Sequence, residues 1–340
     1  MYSDCKNISE HIRGRGPVCE GILLQSEYHL NTIRGRGPVC EGVLLYSEHP
    51  PTMKIRKAVF PAAGFGTRFL PVTKSQPKEM LPIVDKPVIQ YLVEEAVASG
   101  IEEIIIVTGR GKRSIEDHFD YSFELEHTLV EKGKHSLLKE VRAISKLAKF
   151  IYVRQPMPLG DGHAILCAKE VVGNEPFAVL FGDDIVDYKV PALKQLIDVY
   201  NKTGCSVLGL QEIDPKESEN YGMIKAKKGS SHDRLCEIEK LVEKPSPEKA
   251  PSNLGIIGKY IVTPEIIEAL EKAKPSHGGE IRLIDGFSQL LKKQKIYGYE
   301  IMGKRYDTGT KMGLITATID FALKRKDLGP ELRKYLKSLE

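Results

Sequence analysis

The sequence predicts an α/β fold: a three-layer sandwich around a mostly parallel sheet, with a smaller side built on mixed strands. Three observations carry this. Short apolar runs alternate with amphipathic stretches from Met53 to about Ile213. Beyond that point the apolar runs lie closer together, as antiparallel or mixed strands do. The chain has 340 residues, 41% apolar and 28% charged, which suits one large globular unit with a real core.

The elements follow in order. "RKAVFPAAG" (56–64) is a buried strand running into a loop, and "KPVIQYLVEEAVASG" (86–100) has a helical period and a closing glycine. "EEIIIVTG" (102–109) is a strand and "KRSIEDHF" (112–119) a helix; 122–149 reads as two polar helices broken at "KGK". "FIYVRQ" (150–155), "PFAVLFGDD" (176–184) and "CSVLGLQEI" (205–213) are strands, separated by helices at 162–172 and 191–204. "YGMIKA", "LCEIEKLVEK" and "LGIIGKYIV" are the strands of the second half, with helices at about 264–273, 282–293 and 311–325. No Pro/Gly-rich linker divides the halves, so residues 53–340 form one continuous domain.

Residues 12–31 recur at 33–52 with a period of 21 and 14 identities in 20. Two copies are too few for a solenoid, and Gly and Pro break each one. Residues 1–52 are therefore expected to be a poorly ordered extension or a translated tandem repeat upstream of the natural start at Met53. The net charge of +4 does not argue for nucleic-acid binding, and no apolar run approaches a membrane span. The N-terminus lacks a signal-peptide pattern, and the cysteines at 5, 19, 40, 167, 205 and 236 form no CxxC pair. They read as reduced thiols of a cytoplasmic protein, with Cys167, Cys205 and Cys236 in the core.

In an open parallel sheet, ligands sit beyond the carboxyl ends of the strands. Four such places carry notable polar residues: 64–68, Gln155, Asp183 with Asp184, and Asp307. "GFGTRF" begins like a dinucleotide fingerprint, but Phe69 stands where the third glycine belongs. The segment suits a phosphate cradle better. Gly64 and Gly66 let backbone N–H groups approach an anion, Thr67 adds a hydroxyl, and Arg68 and Lys78 add charge. Asp183, directly after a buried strand, is well placed for a cation such as Mg²⁺, which needs only one or two carboxylates plus ligand phosphates. Asp184 caps the next segment or faces solvent. Asp307 of "RYDTGT" is a second metal candidate, or an Asp turn or helix N-cap. Asp161 is expected to cap the helix that starts near Gly162, and His163 to be a packing or backbone-bonded residue.

The stretch "AAGFGTRFLPVTKSQPKEMLPIVDKPVIQYLVEEAVASGI" resembles the sugar-nucleotide pyrophosphorylases, and among them the bacterial and archaeal UTP–glucose-1-phosphate uridylyltransferases. "FDYSFELEHTLVEKGKHSLLKEV" matches the helical insertion of that group; "GHAILCA", "NYGMI", "VEKP", "HGGEIRLID" and "RYDTGTKMG" follow in the family's order. The resemblance runs from Met53 almost to the end and implies a Rossmann-like fold of the nucleotide-diphospho-sugar transferase type. It implies UTP and glucose 1-phosphate as substrates, Mg²⁺ as cofactor, and a homodimer or homotetramer. By the same resemblance, Ala63 and Gly64 lie against the base, and Gly66, Thr67 and Arg68 near the triphosphate. Lys78 neutralises the α-phosphate, Glu79 contacts the uracil, and Gln155 and Gly160 complete the base pocket. Asp183 and Asp307 hold the metal. Gly222 sits under the sugar ring, Glu243 accepts from glucose hydroxyls, and Lys244 grips the sugar phosphate. The related dTDP-sugar enzymes carry Gln at the place of Glu79. Asp161, Arg282 and Gly286 depart from the residues common in the family.

Overall fold

The computed structural model describes residues 53–275 and 279–339. The expectation for residues 1–52, with Cys5, Cys19 and Cys40, lies outside the described residues. The first half runs β1 (Lys57–Ala62), β2 (Pro82–Ile83), β3 (Lys86–Pro87), α1 (Val88–Ala98), β4 (Glu103–Thr108), α2 (Arg113–Phe119), α3 (Phe123–Glu131), α4 (His135–Ile144), β5 (Lys149–Arg154), α5 (Asp161–Cys167), α6 (Lys169–Val172) and β6 (Phe177–Leu180). The second half runs β7 (Asp184–Asp187), α7 (Ala192–Thr203), β8 (Ser206–Glu212), β9 (Gly222–Ala226), β10 (Leu235–Glu243), β11 (Leu254–Val262), α8 (Glu265–Glu271), α9 (Leu283–Leu290), β12 (Ile296–Glu300), β13 (Lys304–Asp307), α10 (Lys311–Lys324) and α11 (Gly329–Lys337).

One nine-stranded sheet, in the order β5-β4-β1-β6-β11-β8-β12-β10-β9, spans both halves. Its first four strands are parallel; β1, β4 and β6 carry the near-continuous apolar runs that strands buried on both faces require, while the edge strand β5 is only half-buried. Alternate side chains feed two cores. Ala58 and Phe60 pack with Leu92, Ala96 and Leu196 of α1 and α7; Val59 packs on the other face with Ile165, Leu270 and Phe287 of α5, α8 and α9. These are the helical layers of the sandwich.

The second half is mixed, as its closely spaced strands imply. β8 does not continue the parallel run, because β11 lies between it and β6, antiparallel to both. β11 is buried along nearly its whole length, which fits this central place. The segment expected as one strand over 176–184 leaves the sheet after Leu180. Asp184 instead begins β7, which pairs antiparallel with β13 in a separate two-stranded ladder. The helix expected over 162–172 is interrupted at Ala168, while β12, β13 and α11 are additional elements. Of the three cysteines expected in the core, Cys236 is buried, but Cys167 and Cys205 are only half-buried. Gly286 is explained by packing: a Cβ there would lie 2.7 Å from Leu270 Cδ2, where α8 and α9 meet. Among the described residues no helix is long and apolar enough to cross a membrane.

Candidate active site

From β1 the connections lead to β4 on one side, while β6 lies on the other, so the strand order reverses between the parallel strands β1 and β6. Open α/β sheets bind ligands at such a switch point. Two hollows meet there. One is bordered by Ala63, Gly64, Lys78, Glu79, Gln155 and Gly160. The other is bordered by Arg68, Asp183, Gly222, Glu243, Lys244 and Asp307. Most residues expected around the nucleotide and those expected around the sugar phosphate thus border adjoining spaces, but Arg68, expected at the triphosphate, borders the second hollow, and Gly66 and Thr67 border neither.

The loop after β1 turns at Gly66, whose φ of 65° is left-handed, before a 3-10 turn over Thr67–Phe69. A Cβ on Gly66 would lie 3.2 Å from Lys78 Cβ, so this glycine lets the loop lie against the lysine. Thr73 Oγ1 donates to the Gly66 carbonyl at 2.8 Å and fixes the turn. Lys78 Nζ bonds Asp183 Oδ2 at 2.5 Å, tying the β1 loop to the end of β6. Burial opposes both charges. The Lys78 ammonium is nevertheless raised above its ordinary range by Asp183 and Glu79. The Asp183 carboxyl is held below its ordinary range by Lys78, Arg305 and Arg68.

Glu79 is wholly buried, and its Oε2 accepts from Lys112 Nζ at 2.8 Å. Gln155 Nε2 donates to the Gly160 carbonyl at 3.0 Å and meets His163 Nδ1 at 2.9 Å. His163 is therefore bound from both sides, since its backbone N–H also reaches the Ile281 carbonyl. Gly160 has φ 100°, and a Cβ there would lie 2.4 Å from the Ile281 oxygen. Asp161 differs from its expected role as a cap for its own helix. Its Oδ1 accepts from the Leu283 N–H at 2.8 Å, capping α9 from 122 residues away. Burial raises its carboxyl above the ordinary range, although the Leu283 and Gly162 N–H groups oppose the shift.

In the second hollow, Glu243 and Gly222 stand opposite each other where β10 pairs with β9. A Cβ on Gly222 would lie 3.0 Å from Ile284 and 3.4 Å from Glu243 Oε2, so glycine keeps this wall thin. Lys244 holds a left-handed φ of 42°, with its N–H on the Tyr221 carbonyl. Burial raises the Glu243 carboxyl; Lys244 and Arg282 oppose it, the latter through NH1 at 3.3 Å from Oε1.

Asp184 neither faces solvent nor caps the segment that follows it, of which it is the first residue. It is buried, accepts the Gly258 N–H at 2.7 Å, and ion-pairs with Arg305. Arg305 also lies 5.1 Å from the centre of the Tyr221 ring and donates to its hydroxyl, which meets Asp307 Oδ2 at 3.3 Å. Arg305 and Tyr221 were not expected. The period of two along "RYD" was a usable signal for Arg305, because it puts residues 305 and 307 on one face of a strand. Asp307 does make an Asp turn, through Oδ1 and the Gly309 N–H at 3.0 Å; the helix N-cap is Thr310.

Asp183 and Asp307 fit a hard divalent cation. A Cβ on Gly309 would lie 2.8 Å from Asp183 Oδ2 and 3.0 Å from Asp307 Oδ1, so both oxygens border one small space that glycine leaves open. The Asp307 carboxyl is raised by burial and by Asp184 and Asp183, an excess of negative charge that a cation would offset. Among the described residues no group of three or more His, Cys, Asp or Glu forms a metal cluster, so ligand phosphates and water would complete the coordination.

A family model described as nucleotidyl transferase matches residues 57–323. The chain belongs to the nucleotidyl transferase family. The match spans both hollows of the transferase. This transferase is 52% identical over 286 residues to the UTP–glucose-1-phosphate uridylyltransferase of Bacillus subtilis, covering 84% of this chain and 97% of that one. It is 52% identical over 289 residues to the Staphylococcus epidermidis protein of the same name, covering 84% and 99%. A crystal structure of UDP-glucose pyrophosphorylase complexed with UDP-glucose superposes with TM-score 0.73 at 46% identity, over 80% of this chain and all of that one. A UTP-bound enzyme from Acinetobacter baumannii gives 0.78 at 39% identity, over 84% of this chain and all of that one.

Proposed function

We propose that this transferase makes UDP-glucose and pyrophosphate from UTP and glucose 1-phosphate. The observation that carries the reading is the meeting of the two hollows at the Lys78–Asp183 pair, which borders the space shared with Asp307. UTP occupies the hollow of Ala63, Gly64, Gln155 and Gly160, with Gly66, Thr67 and Arg68 at its phosphates and Glu79 at the uracil. Glucose 1-phosphate occupies the other, with Gly222 under the ring, Glu243 on its hydroxyls and Lys244 on its phosphate.

A phosphate oxygen of glucose 1-phosphate bonds to the α-phosphorus of UTP, the α–β bridging bond breaks, and pyrophosphate leaves with the electron pair. The nucleophile is already an anion, so no general base is needed. Negative charge gathers in the transition state, and Arg68, Lys78 and Lys244 offset it while holding the reactants in line. Asp183 and Asp307 would hold Mg²⁺, which supplies further charge neutralisation at the phosphates. Arg305 and Tyr221 orient Asp307.

Residues 53–340 are the catalytic domain, which the family match at 57–323 supports, and 1–52 a repeated extension outside it. A cytoplasmic homodimer or homotetramer is the assembly that the resemblance implies. A thymidylyl enzyme is the nearest alternative; Glu79 favours the uridylyl reading. A non-catalytic regulatory relative is disfavoured by the presence of Arg68, Lys78, Asp183, Lys244 and Asp307 together. Pyrophosphate release by the full chain with glucose 1-phosphate, comparing UTP, dTTP, ATP and GTP with and without chelator, tests the reading. A UTP preference abolished by chelation is expected; no release with any nucleotide would overturn it.

A further inference from the structure

The buried pair beneath the nucleotide hollow has a chemistry of its own. Glu79 is 0% exposed and the Lys112 side chain 7%. Lys112 reaches from the start of α2 to Glu79 Oε2, at 2.8 Å. Glu79 Oε1 is buried with no hydrogen-bond partner. A carboxylate oxygen sealed from water and left unbonded is rare in native proteins, and an N–H supplied by a ligand would satisfy it. Glu79 borders the hollow, whereas Lys112 is absent from its walls. The Glu79 side chain is also packed in place: a Cβ on Gly182 would lie 2.8 Å from its Cγ. Nearby, the two amide hydrogens of Gln155 are used on Gly160 and His163, leaving its oxygen to accept. This part of the hollow thus offers acceptors.

We infer that Lys112 is a positioning residue for base selection: by fixing Glu79 as a charged, acceptor-only group, it makes the site take a pyrimidine with N3–H and reject one with a bare N3. This rests on the uridylyl reading above. A carboxylate has no proton to offer. Its spare oxygen can receive the imide N3–H of uracil, but faces the N3 lone pair of cytosine. Lys112 supplies the direct, hydrogen-bonded charge partner of Oε2, at 2.8 Å. Removing Lys112 takes away the hydrogen-bonded partner of Oε2 and leaves Lys78 to act on the carboxyl only through space; a buried carboxyl stripped in this way accommodates a proton, whose O–H can donate to a bare ring nitrogen. Removing Lys112 should therefore weaken UTP and improve CTP, an exchange that a purely structural role would not produce.

The test is the ratio of kcat/KM for UTP to that for CTP, with glucose 1-phosphate, in full-chain wild type, K112M, K112Q and K112R. The expected result is a fall of at least tenfold in K112M and K112Q, with K112R close to wild type. K112Q loses the charge while keeping an N–H donor one bond shorter, so it reads out the charge even where K112M does not fold. A wild-type ratio in a folded neutral variant, or an equal loss with both nucleotides, would overturn the role of Lys112 and leave the uridylyl reading standing. A wild-type protein that uses no UTP would overturn both.

Discussion

Replacing Lys78 by alanine separates what the lysine does for stability from what it does for turnover. Its Nζ lies 2.5 Å from Asp183 Oδ2, and the two side chains are 25% and 22% exposed. An exposed pair contributes at most about 1 kcal/mol, and breaking a fully buried one costs about 3–5 kcal/mol. With partial exposure, and with Arg68 and Arg305 also acting on Asp183, a stability loss of about 2 kcal/mol is expected. Turnover should fall further. Removing one preorganised donor from a developing negative charge costs about 3 kcal/mol, or roughly a hundredfold in kcat. The variant should thus remain folded by circular dichroism and urea titration while pyrophosphate release at saturating UTP, glucose 1-phosphate and Mg²⁺ drops about a hundredfold. A folded variant turning over within about threefold of wild type would refute the placing of Lys78 at the reacting phosphate.

Two further substitutions test the supports of the site. Arg305→Met leaves Asp184 buried with the Gly258 N–H but without its cation, and should lower the unfolding free energy by about 3 kcal/mol in urea; a loss below about 1 kcal/mol would count against this pair as a structural anchor. Arg282→Gln removes one of the two cations that oppose the burial-driven rise of the Glu243 carboxyl. The folded group should then protonate at still higher pH. In the role proposed for Glu243, the ionised form accepts sugar hydroxyls, so the acid limb of kcat/KM for glucose 1-phosphate should move upward in pH, and an unmoved limb would detach Arg282 from sugar binding.

Local chemistry made much of this protein legible. Continuous apolar runs such as 58–62 and 104–107 can be satisfied only by burial on both faces, so the parallel half follows from the sequence. The turn at Gly66 needs a residue free to adopt positive φ, and its neighbours Thr67 and Arg68 mark what the turn is for. Strand order is less legible, because nothing local in 254–262 says that it lies between β6 and β8. Asp184 reads as a surface residue until its partner is known, and Arg305 stands 121 positions away. Lys112 is hidden for the same reason: one more lysine before a helix has no meaning until the fold brings it to Glu79. Asp161 reads as a local cap because sequence proximity favours Gly162, while tertiary packing adds the more distant Leu283 N–H.

The ladder between β7 and β13 also sets an order in time. Asp183 and Asp184 leave the ribosome before the strand that brings Arg305 and Asp307 to them, since Arg305 follows Asp184 by 121 positions. Until that strand arrives, Asp184 lacks its cation and Asp183 lacks the neighbour with which it shares the Gly309 space. A nascent or prematurely terminated chain could therefore build the parallel half and even its nucleotide hollow while remaining chemically silent. Competence would come in one late step, when the last antiparallel ladder closes.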